Sequence, residues 1–347
     1  MIPTAPLISV SIATYNRAAN LDRAIRSALA EPGDFFEVVV GDDASPDHTQ
    51  AVIQAHRTDP RFRDYHNERN LGLQANVRKA AQAAWGDYIF ILTDDDYLLP
   101  GALTQTAQMI TAHSDAGYFL SHLPSVDERS GQILHWHRTF AKSGWHPAGL
   151  QTMRAIAGSA WVLSRQILRR DQVEWEVWER FGQNIFFPLI VAGRLLLRAP
   201  CYYLAEPLVM HTFFNRVFWD AFGRDQLEIE FNLAADRYRC MRAIVFDQSD
   251  SPAIRAAIEQ WEFGNFATYL YQSHAGFYDL TNAIGRHAAL QKLRAVYPLT
   301  GRQALEFALF PLKLPFVRAW VNIKSLLRRL PAPAVAKLRA VWDQARR

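Results

Sequence analysis

GDYIFILTDDDYLLPG, residues 86–101, passes from an apolar run straight into charge. Tyr88 to Leu92 are uninterrupted apolar residues, the pattern of a strand buried on both faces. They empty into Asp94, Asp95 and Asp96, after which Pro100 and Gly101 open a new element. Carboxylates this close raise one another's pKa unless water, a cation or hydrogen-bond donors hold them ionised. A merely solvated turn mixes in Asn, Ser or Gly, so three acids in a row at a strand end mark a site. Their hard oxygen donors suit Mg²⁺ or Mn²⁺ with several retained waters.

The same rhythm extends in both directions. LISVSIAT (7–14) is strand-like, and Asn20 is read as the N-cap of a helix whose Leu21, Ala24, Ile25, Ala28 and Leu29 share one face. FFEVVVGD (35–42) is a buried strand that ends in the polar turn DDASPDHT, with a helix expected from Thr49 to His56. A third strand, FRDYHNE (62–68), gives way to RNLG and an alanine-rich helix, Gln74 to Ala84. Strands alternating with helices imply right-handed crossovers and a mainly parallel, Rossmann-like α/β sheet with helices on both faces. Ligands of such sheets bind beyond the carboxyl ends of the strands. That rule gathers ATYNR (13–17), GDDASPD (41–47) and TDDDY (93–97) at one rim.

Further along, AGYFLSH (116–122) and GQILHWH (131–137) are expected as strands around a turn at Asp127 to Gly131. SAWVLS (159–164) and RLLLRAPCYYLAE (194–206) look like two more. After Asp225 the pattern is helical, most clearly in DQLEIEFNLAADRYRCMRAIV (225–245). The expected organisation is an α/β domain over 1–215, a helical extension over 216–300 and a basic amphipathic tail over 301–347.

Composition is that of an ordinary soluble chain: 347 residues, 50% hydrophobic and 21% charged, enough for one large or two modest domains. Cys201 and Cys240 offer neither a disulfide framework nor metal-ligand spacing, which favours a reducing compartment. MIPTAPLISVSIATYN has no basic segment ahead of its apolar residues, so no signal peptide is read and a cytoplasmic location is expected. The best uncharged apolar run, FGQNIFFPLIVAG (181–193), has 13 residues and a proline, short of the roughly 18 to 20 that cross a bilayer. The net charge of +4 divides unequally, with +8 on residues 302–347 and −4 on the rest. A basic excess confined to one end, without a recognition motif, argues against a nucleic-acid partner.

A diphosphate joined to a nucleoside needs a π-face for its base, acceptors for base and ribose donors, and a cation for its phosphates. Tyr15 offers the first, Asp42 or Asp43 the second, and the triplet the third. Taken singly, a strand-end tyrosine usually just packs, and acids before Ala44, Ser45 and Pro46 are common turn chemistry. Their convergence is more specific. Through VSIATYNRAANLDRAIRSAL (10–29), FEVVVGDDASPD (36–47) and NERNLGLQANVRKAAQAAWGDYIFILTDDDYLLPGAL (67–103), the sequence resembles the inverting nucleotide-diphospho-sugar glycosyltransferases of family 2, which have the GT-A fold. The likeness is close over residues 6–125 and looser to about 215. It implies a metal-dependent transferase with a nucleotide-sugar donor, a UDP-sugar first, and a hydroxyl of a glycan or lipid-linked glycan as acceptor. It implies that Tyr15 stacks on the base and Asp43 meets its N3–H, with Ala13, Arg17, Asp42 and Asn70 around the donor. Asp94 would contact ribose and Asp95 would bind Mn²⁺ or Mg²⁺ through the diphosphate. Asp96 would be an outer ligand, and His211 in EPLVMHTFFN (206–215) would lie near the metal. The commoner family motif has its first aspartate where this sequence has Thr93.

The acceptor hydroxyl needs a general base. Family members supply an acidic pair, often Glu-Asp, at the start of a helix; the corresponding residues here are Gln183 and Asn184, which take up no proton. Nearby acids lie in RRDQVEWEVWERF (169–181): Asp171, Glu174, Glu176 and Glu179. Glu179 is the expected base, set against the plainer reading of a solvated helix face. The missing pair keeps open a second reading, a non-catalytic nucleotide-sugar-binding relative. Trp161 and Trp145 are candidate platforms for an acceptor sugar, or else core residues. A phospho-accepting receiver domain also gathers aspartates at strand ends but fails on position, because its acids follow strands one and three whereas these follow two and four.

In PFVRAWVNIKSLLRRL (315–330), Phe316, Trp320, Ile323, Leu327 and Leu330 share a helical face, with Arg318, Lys324, Arg328 and Arg329 largely opposite. This suits an interfacial helix on anionic lipid, against the alternative of a surface helix docked on its own domain. The expectation is a cytoplasmic protein held at the inner face of the membrane.

Overall fold

The computed structural model describes residues 6–127, 130–137, 139–156, 159–182, 184 and 186–213, together with 244, 288 and 291. Its strands and helices fall in one compact unit, Met1–Phe218 with Arg239–Glu259. The expected helix over 225–245, the extension over 216–300 and the basic tail lie outside the described residues, apart from Ile244, Ala288 and Gln291; Gln183 does too.

Four strands come first, each joined to the next by a helix: β1 (Ile8–Thr14), α1 (Ala18–Leu29), β2 (Phe36–Asp42), α2 (Thr49–His56), β3 (Phe62–His66), α3 (Leu73–Gln82) and β4 (Tyr88–Thr93). They pair in parallel in the order β3-β2-β1-β4. Residues alternate in direction along a strand, so Ile8, Val10 and Ile12, Val38 and Val40, and Phe90 and Leu92 share one face. That face packs with Leu21, Ile25 and Ile53 of α1 and α2 in the main core. On the other face Ser9 and Ser11 are small enough for the alanine-rich side of α3, Ala80 and Ala81, to lie close.

The strand β5 (Tyr97–Leu98), helix α4 (Ala102–Ala112), strands β6 (Tyr118–Asp127), β7 (Ile133–His137) and β8 (Gly144–His146), helix α5 (Leu150–Ile156) and strand β9 (Gln166–Arg169) follow. Helices α6 (Trp175–Phe181) and α7 (Phe187–Arg198) and strands β10 (Cys201–Pro207) and β11 (Val209–Phe213) complete the unit. The sheet continues from β4 as β9-β6-β10-β8, with β7 and β11 also on β6. β9 is antiparallel to both β4 and β6. Six of the eight strands along this order thus run the same way, with β9 reversed inside the sheet and β8 at its edge, and β7 pairs antiparallel with β6.

Several expectations met a different outcome. Helix α1 starts at Ala18, ahead of the expected cap at Asn20, because its first free amide finds an acceptor far away in sequence: Ala18 N–H donates to Asp47 Oδ2 at 3.0 Å. SAWVLS is not a strand. Its end is a 3-10 turn, Leu163–Arg165, and Ser164 turns its hydroxyl onto Thr93, 2.9 Å from the amide and 2.8 Å from Oγ1. The first half of RLLLRAPCYYLAE completes α7, where Pro188 sits in the first turn and Leu195 and Leu196 are buried, and only the second half is strand. The turn at Asp127–Gly131 is as expected: Gly131, at φ +66, donates its amide to the Asp127 carbonyl at 2.8 Å. The Pro100–Gly101 break begins α4, whose free amides are met by Glu31, with Gly101 N–H at 2.6 Å and Leu103 N–H at 3.2 Å.

Candidate functional site

The order β3-β2-β1-β4 places a topological switch point between β1 and β4, where crossovers leave toward opposite sides and open a crevice. Ala13 is level with Thr93 across that junction, and Thr14 is level with Asp42 on the other side. Everything expected of the donor rim except Asn70 is attached to these three strand ends. Tyr15, just past β1, is 44% exposed. Asn16 and Ala44, directly beyond β1 and β2, sit at φ 55 and φ 61, the left-handed region that costs an L-residue about 1–2 kcal/mol. Strain of this kind persists where surrounding contacts over-determine it. Here Ser45 Oγ accepts the Asn16 amide at 2.9 Å and donates to Asp42 at 2.5 Å, lacing the two loops together.

The triplet divides its roles. Asp94 accepts from the Thr14 hydroxyl at 2.7 Å and from Arg17 Nη1 at 3.3 Å. Asp95 accepts from the same Nη1 at 2.5 Å. Burial, then the Asp95 charge, push Asp94 up to about 7 against the pull of Arg17 and Thr14. Burial and the Asp96 charge likewise raise Asp95. Burial alone would lower Arg17, but the two carboxylates hold it above its ordinary value. Asp96 faces away from this pair. It is buried, with both oxygens 3.0 Å from His211 Nδ1 and Oδ1 accepting the Thr212 amide at 2.8 Å. Burial would lower His211, yet the hydrogen bond and charge of Asp96 raise it. The expected outer ligand is thus an anchor for β11.

The two acids at the end of β2 also separate. Asp42, expected near the donor, is fully buried, and its acceptor positions are taken by Ser45 N–H and hydroxyl, Gln50 Nε2 and His66 Nδ1. It holds the rim together and has no capacity left for a ligand. Asp43 accepts from Asn67 Nδ2 at 2.9 Å, Leu71 N–H at 2.8 Å and Gly72 N–H at 2.9 Å, leaving about one acceptor position. Asn70 is exposed and reinforces that loop, its Oδ1 accepting the Gly72 amide at 2.8 Å. Glu179 lies apart, 69% exposed in an ion pair with Arg78 of α3 at 3.0 Å. Asn184 sits in the turn just ahead of α7, its Oδ1 accepting the Phe186 amide at 2.8 Å. Trp161 lies 5.5 Å from the ring of His137, which is 6.2 Å from His211, whereas Trp145 sits on β8 at the sheet's far edge.

Asn76 and Asp47 escaped sequence reasoning. Asn76 is buried on α3 and donates to the Gly41 carbonyl at 2.9 Å and the Thr14 carbonyl at 3.3 Å, tying the helix to two strand ends. The available signal was a polar residue beside Val77 on the face that carries Ala80. Asp47 serves two helices, accepting from Ala18 N–H and from the amide and hydroxyl of Thr49. Burial would raise Asp47, but those donors hold it below 3.8. A carboxyl depressed on folding adds stability that is present above its unfolded pKa and is lost as pH falls through the folded one. Asp47→Asn is therefore expected to cost about 1 kcal/mol at pH 7 in urea denaturation, with the deficit closing below about pH 3.8. A deficit independent of pH contradicts this assignment.

The fold and the three-strand rim define a GT-A α/β sheet of the glycosyltransferase class. Residues 9–171 match the model of glycosyl transferase family 2, and this part of the chain is a domain of that family. Over 101 residues the chain is 46% identical to an uncharacterized protein of Mycobacterium tuberculosis, covering 29% of this chain and 31% of that protein. Over 105 residues it is 34% identical to the GalNAc(5)-diNAcBac-PP-undecaprenol beta-1,3-glucosyltransferase of Campylobacter jejuni, covering 30% and 34%. The chain spans about a third of the length of these curated relatives. Staphylococcus aureus TarS 1-349 in complex with UDP shares the fold, with a TM-score of 0.60, 17% identity and 88% and 87% of the two chains covered.

Proposed function

We propose that this chain is an inverting glycosyltransferase that moves a sugar from a nucleoside-diphosphate sugar to a hydroxyl of a glycan or lipid-linked glycan. The observation that carries the reading is the meeting of exposed Tyr15 with buried Asp94, partly buried Asp95 and Arg17 at the β1/β4 switch point. Tyr15 stacks on the base, and the last acceptor position of Asp43 takes a base N–H. Ala13 lets the nucleotide approach the backbone, Asn70 bounds the loop beside it, and Asp94 meets a ribose hydroxyl. A uridine donor is supported by TarS, whose structures hold UDP and UDP-GlcNAc. A lipid-linked acceptor is supported by the name of the Campylobacter relative and by the +8 charge of residues 302–347, which suits an anionic membrane surface. Among the described residues no helix is long and apolar enough to cross a membrane.

The donor set fits a hard divalent cation. Buried Asp94 and partly buried Asp95, raised by burial and by the charge of the acid that follows each, share one guanidinium, so the site carries negative charge in excess. Among the described residues no three acids or histidines form a complete metal cage. Mg²⁺ and Mn²⁺ sites of this kind use one or two carboxylates and complete their shell with substrate phosphates and water. Asp95 is the proposed ligand, with Asp96 and His211 supporting it from behind. A bound cation supplies positive charge where the departing diphosphate becomes negative. Arg17, already between the two carboxylates, is the chain's own cation at that point.

Inversion requires a proton acceptor on the acceptor side. Glu179 is the proposed base; exposed and paired with Arg78, it takes up the proton only once that ion pair opens. Asn184, an amide where family members carry an acid and held by the Phe186 amide in the turn before α7, is the observation that favours the second reading, a nucleotide-sugar-binding relative without turnover. The test is a thermal-shift series of nucleoside diphosphates and their sugars with and without Mn²⁺, followed by assay of UDP release. Ligand at a hundredfold excess over Kd adds about 2.7 kcal/mol to the native state. UDP with Mn²⁺ is expected to raise Tm clearly above UDP alone, and UDP-sugar to be consumed. No metal-dependent shift with any nucleotide sinks the donor site, and binding without turnover establishes the second reading.

A further inference from the structure

Arg165 ends the 3-10 turn before β9 and is 1% exposed. Its described partners are neutral: Thr139 Oγ1 at 3.4 Å and the hydroxyl of Tyr203, while Nε has none. No described carboxylate pairs with it. A buried charge without a counter-charge is expensive, and chains keep one only where something compensates it. The groups around it supply no counter-charge. His137, whose Nε2 lies 2.9 Å from Ser125 Oγ, is pushed down to about 4 by burial and then by His135, Arg165 and His211. Its ring is 4.6 Å from that of His135. Arginine, imidazoles and a threonine hydroxyl thus gather without an acid among them.

We propose that Arg165, with Thr139, His137 and His135, forms a site for a phosphate group carried by the acceptor, an assignment that rests on the glycosyl-transfer reading above. The position separates this site from the donor's. Ser164, next in sequence, is bonded to Thr93, so Arg165 lies close to the triplet but on the β9 and β6 flank of β4. Tyr15, Asp43 and Arg17 belong to the β1 flank, where the donor diphosphate has its own guanidinium. One side of the site reaches solvent, with His135 exposed and Thr139 and His137 half-buried, while Arg165 forms its buried floor at 1% exposure. Trp161, 44% exposed and 5.5 Å from His137, offers an apolar face for a sugar ring beside the phosphate. Donors from several directions suit the three oxygens of a phosphate better than the planar pair of a carboxylate.

Inorganic phosphate is the probe, titrated into the metal-free full-length protein with Tm and ³¹P line width as readouts. Wild type is expected to bind it, Arg165→Lys to retain part of the effect, and Arg165→Met to lose at least about tenfold in affinity, since hydrogen bonds to charged groups contribute about 1.5–3 kcal/mol. Saturating UDP is expected to leave phosphate binding unchanged. Equal binding by wild type and Arg165→Met overturns the proposal, and displacement by UDP overturns it in favour of the donor diphosphate. If Arg165→Met does not fold, His135→Ala with His137→Gln carries the same comparison: weaker binding supports the site and equal binding rejects it. Wild type that binds UDP with Mn²⁺ but not phosphate rejects the phosphate site alone; wild type that binds neither rejects the glycosyl-transfer reading with it.

Discussion

Asp95→Asn is expected to reduce donor turnover in Mn²⁺ by at least about 10²-fold without loss of folded protein. Removing one preorganised electrostatic contact to a developing oxyanion costs about 10²–10³ in kcat. Asparagine keeps the shape and removes the charge that would hold the cation. The stability side runs the other way. Asp95 is raised by burial and by Asp96, and its charge in turn raises Asp94, so a neutral residue relieves a buried repulsion. Arg17 keeps Asp94 as its partner. The metal-free Tm should therefore equal or exceed that of wild type, while the Mn²⁺-dependent rise with UDP disappears. Retained turnover together with a retained metal-dependent shift rules out Asp95 as the ligand.

Asp43→Asn is expected to destabilise the protein by about 1–3 kcal/mol, the largest stability effect at the rim. Both oxygens of Asp43 accept: Oδ1 from Asn67 and Leu71, Oδ2 from Gly72. An amide can present an oxygen to one set only, and its NH₂ then opposes a donor. Each buried donor left unmet costs about 1–3 kcal/mol. Asp43→Ala strands the Asn67 and Leu71 donors, leaving Gly72 to Asn70 alone, and should be at least as damaging. Urea denaturation of the two variants beside wild type measures this. A loss below 1 kcal/mol for Asp43→Asn means the carboxylate is not the anchor of the 67–72 loop. UDP affinity should fall with stability, because the loop that presents the last acceptor position is lost with its anchor.

The first half of the fold was legible because its signals are local. The apolar runs of β1, β2 and β4 and the face of α1 are periodic within themselves, and α2 runs from Thr49 to His56 as its flanking turn suggests. What was not legible depends on partners distant in sequence. Asn20 is a good cap by type, but Asp47 reaches Ala18 first. SAWVLS has strand composition, but the Ser164 hydroxyl finds Thr93, 71 residues away, and the chain turns there. Asp42 and Asp43 are chemically identical neighbours, and alternation sends them to opposite sides. Only the positions of His66, Gln50 and Ser45 on one side and Asn67, Leu71 and Gly72 on the other decide which acid is spent on structure. The triplet shows the same limit: its charge was readable, its division between Arg17 and His211 was not.

Asp47 closes the amides of two helix starts with one side chain, and this bears on how the domain assembles. The start of α2 is closed locally, but α1 has no finished first turn until the chain after β2 has come back to the end of β1, 29 residues earlier. Loop closure over that span precedes any gain from the α1 contact, so β1-α1-β2-α2 forms as one cooperative unit. The left-handed residues Asn16 and Ala44 belong to the same two loops, which Ser45 laces together, so the crevice beside β1 takes its shape only when both loops are in place.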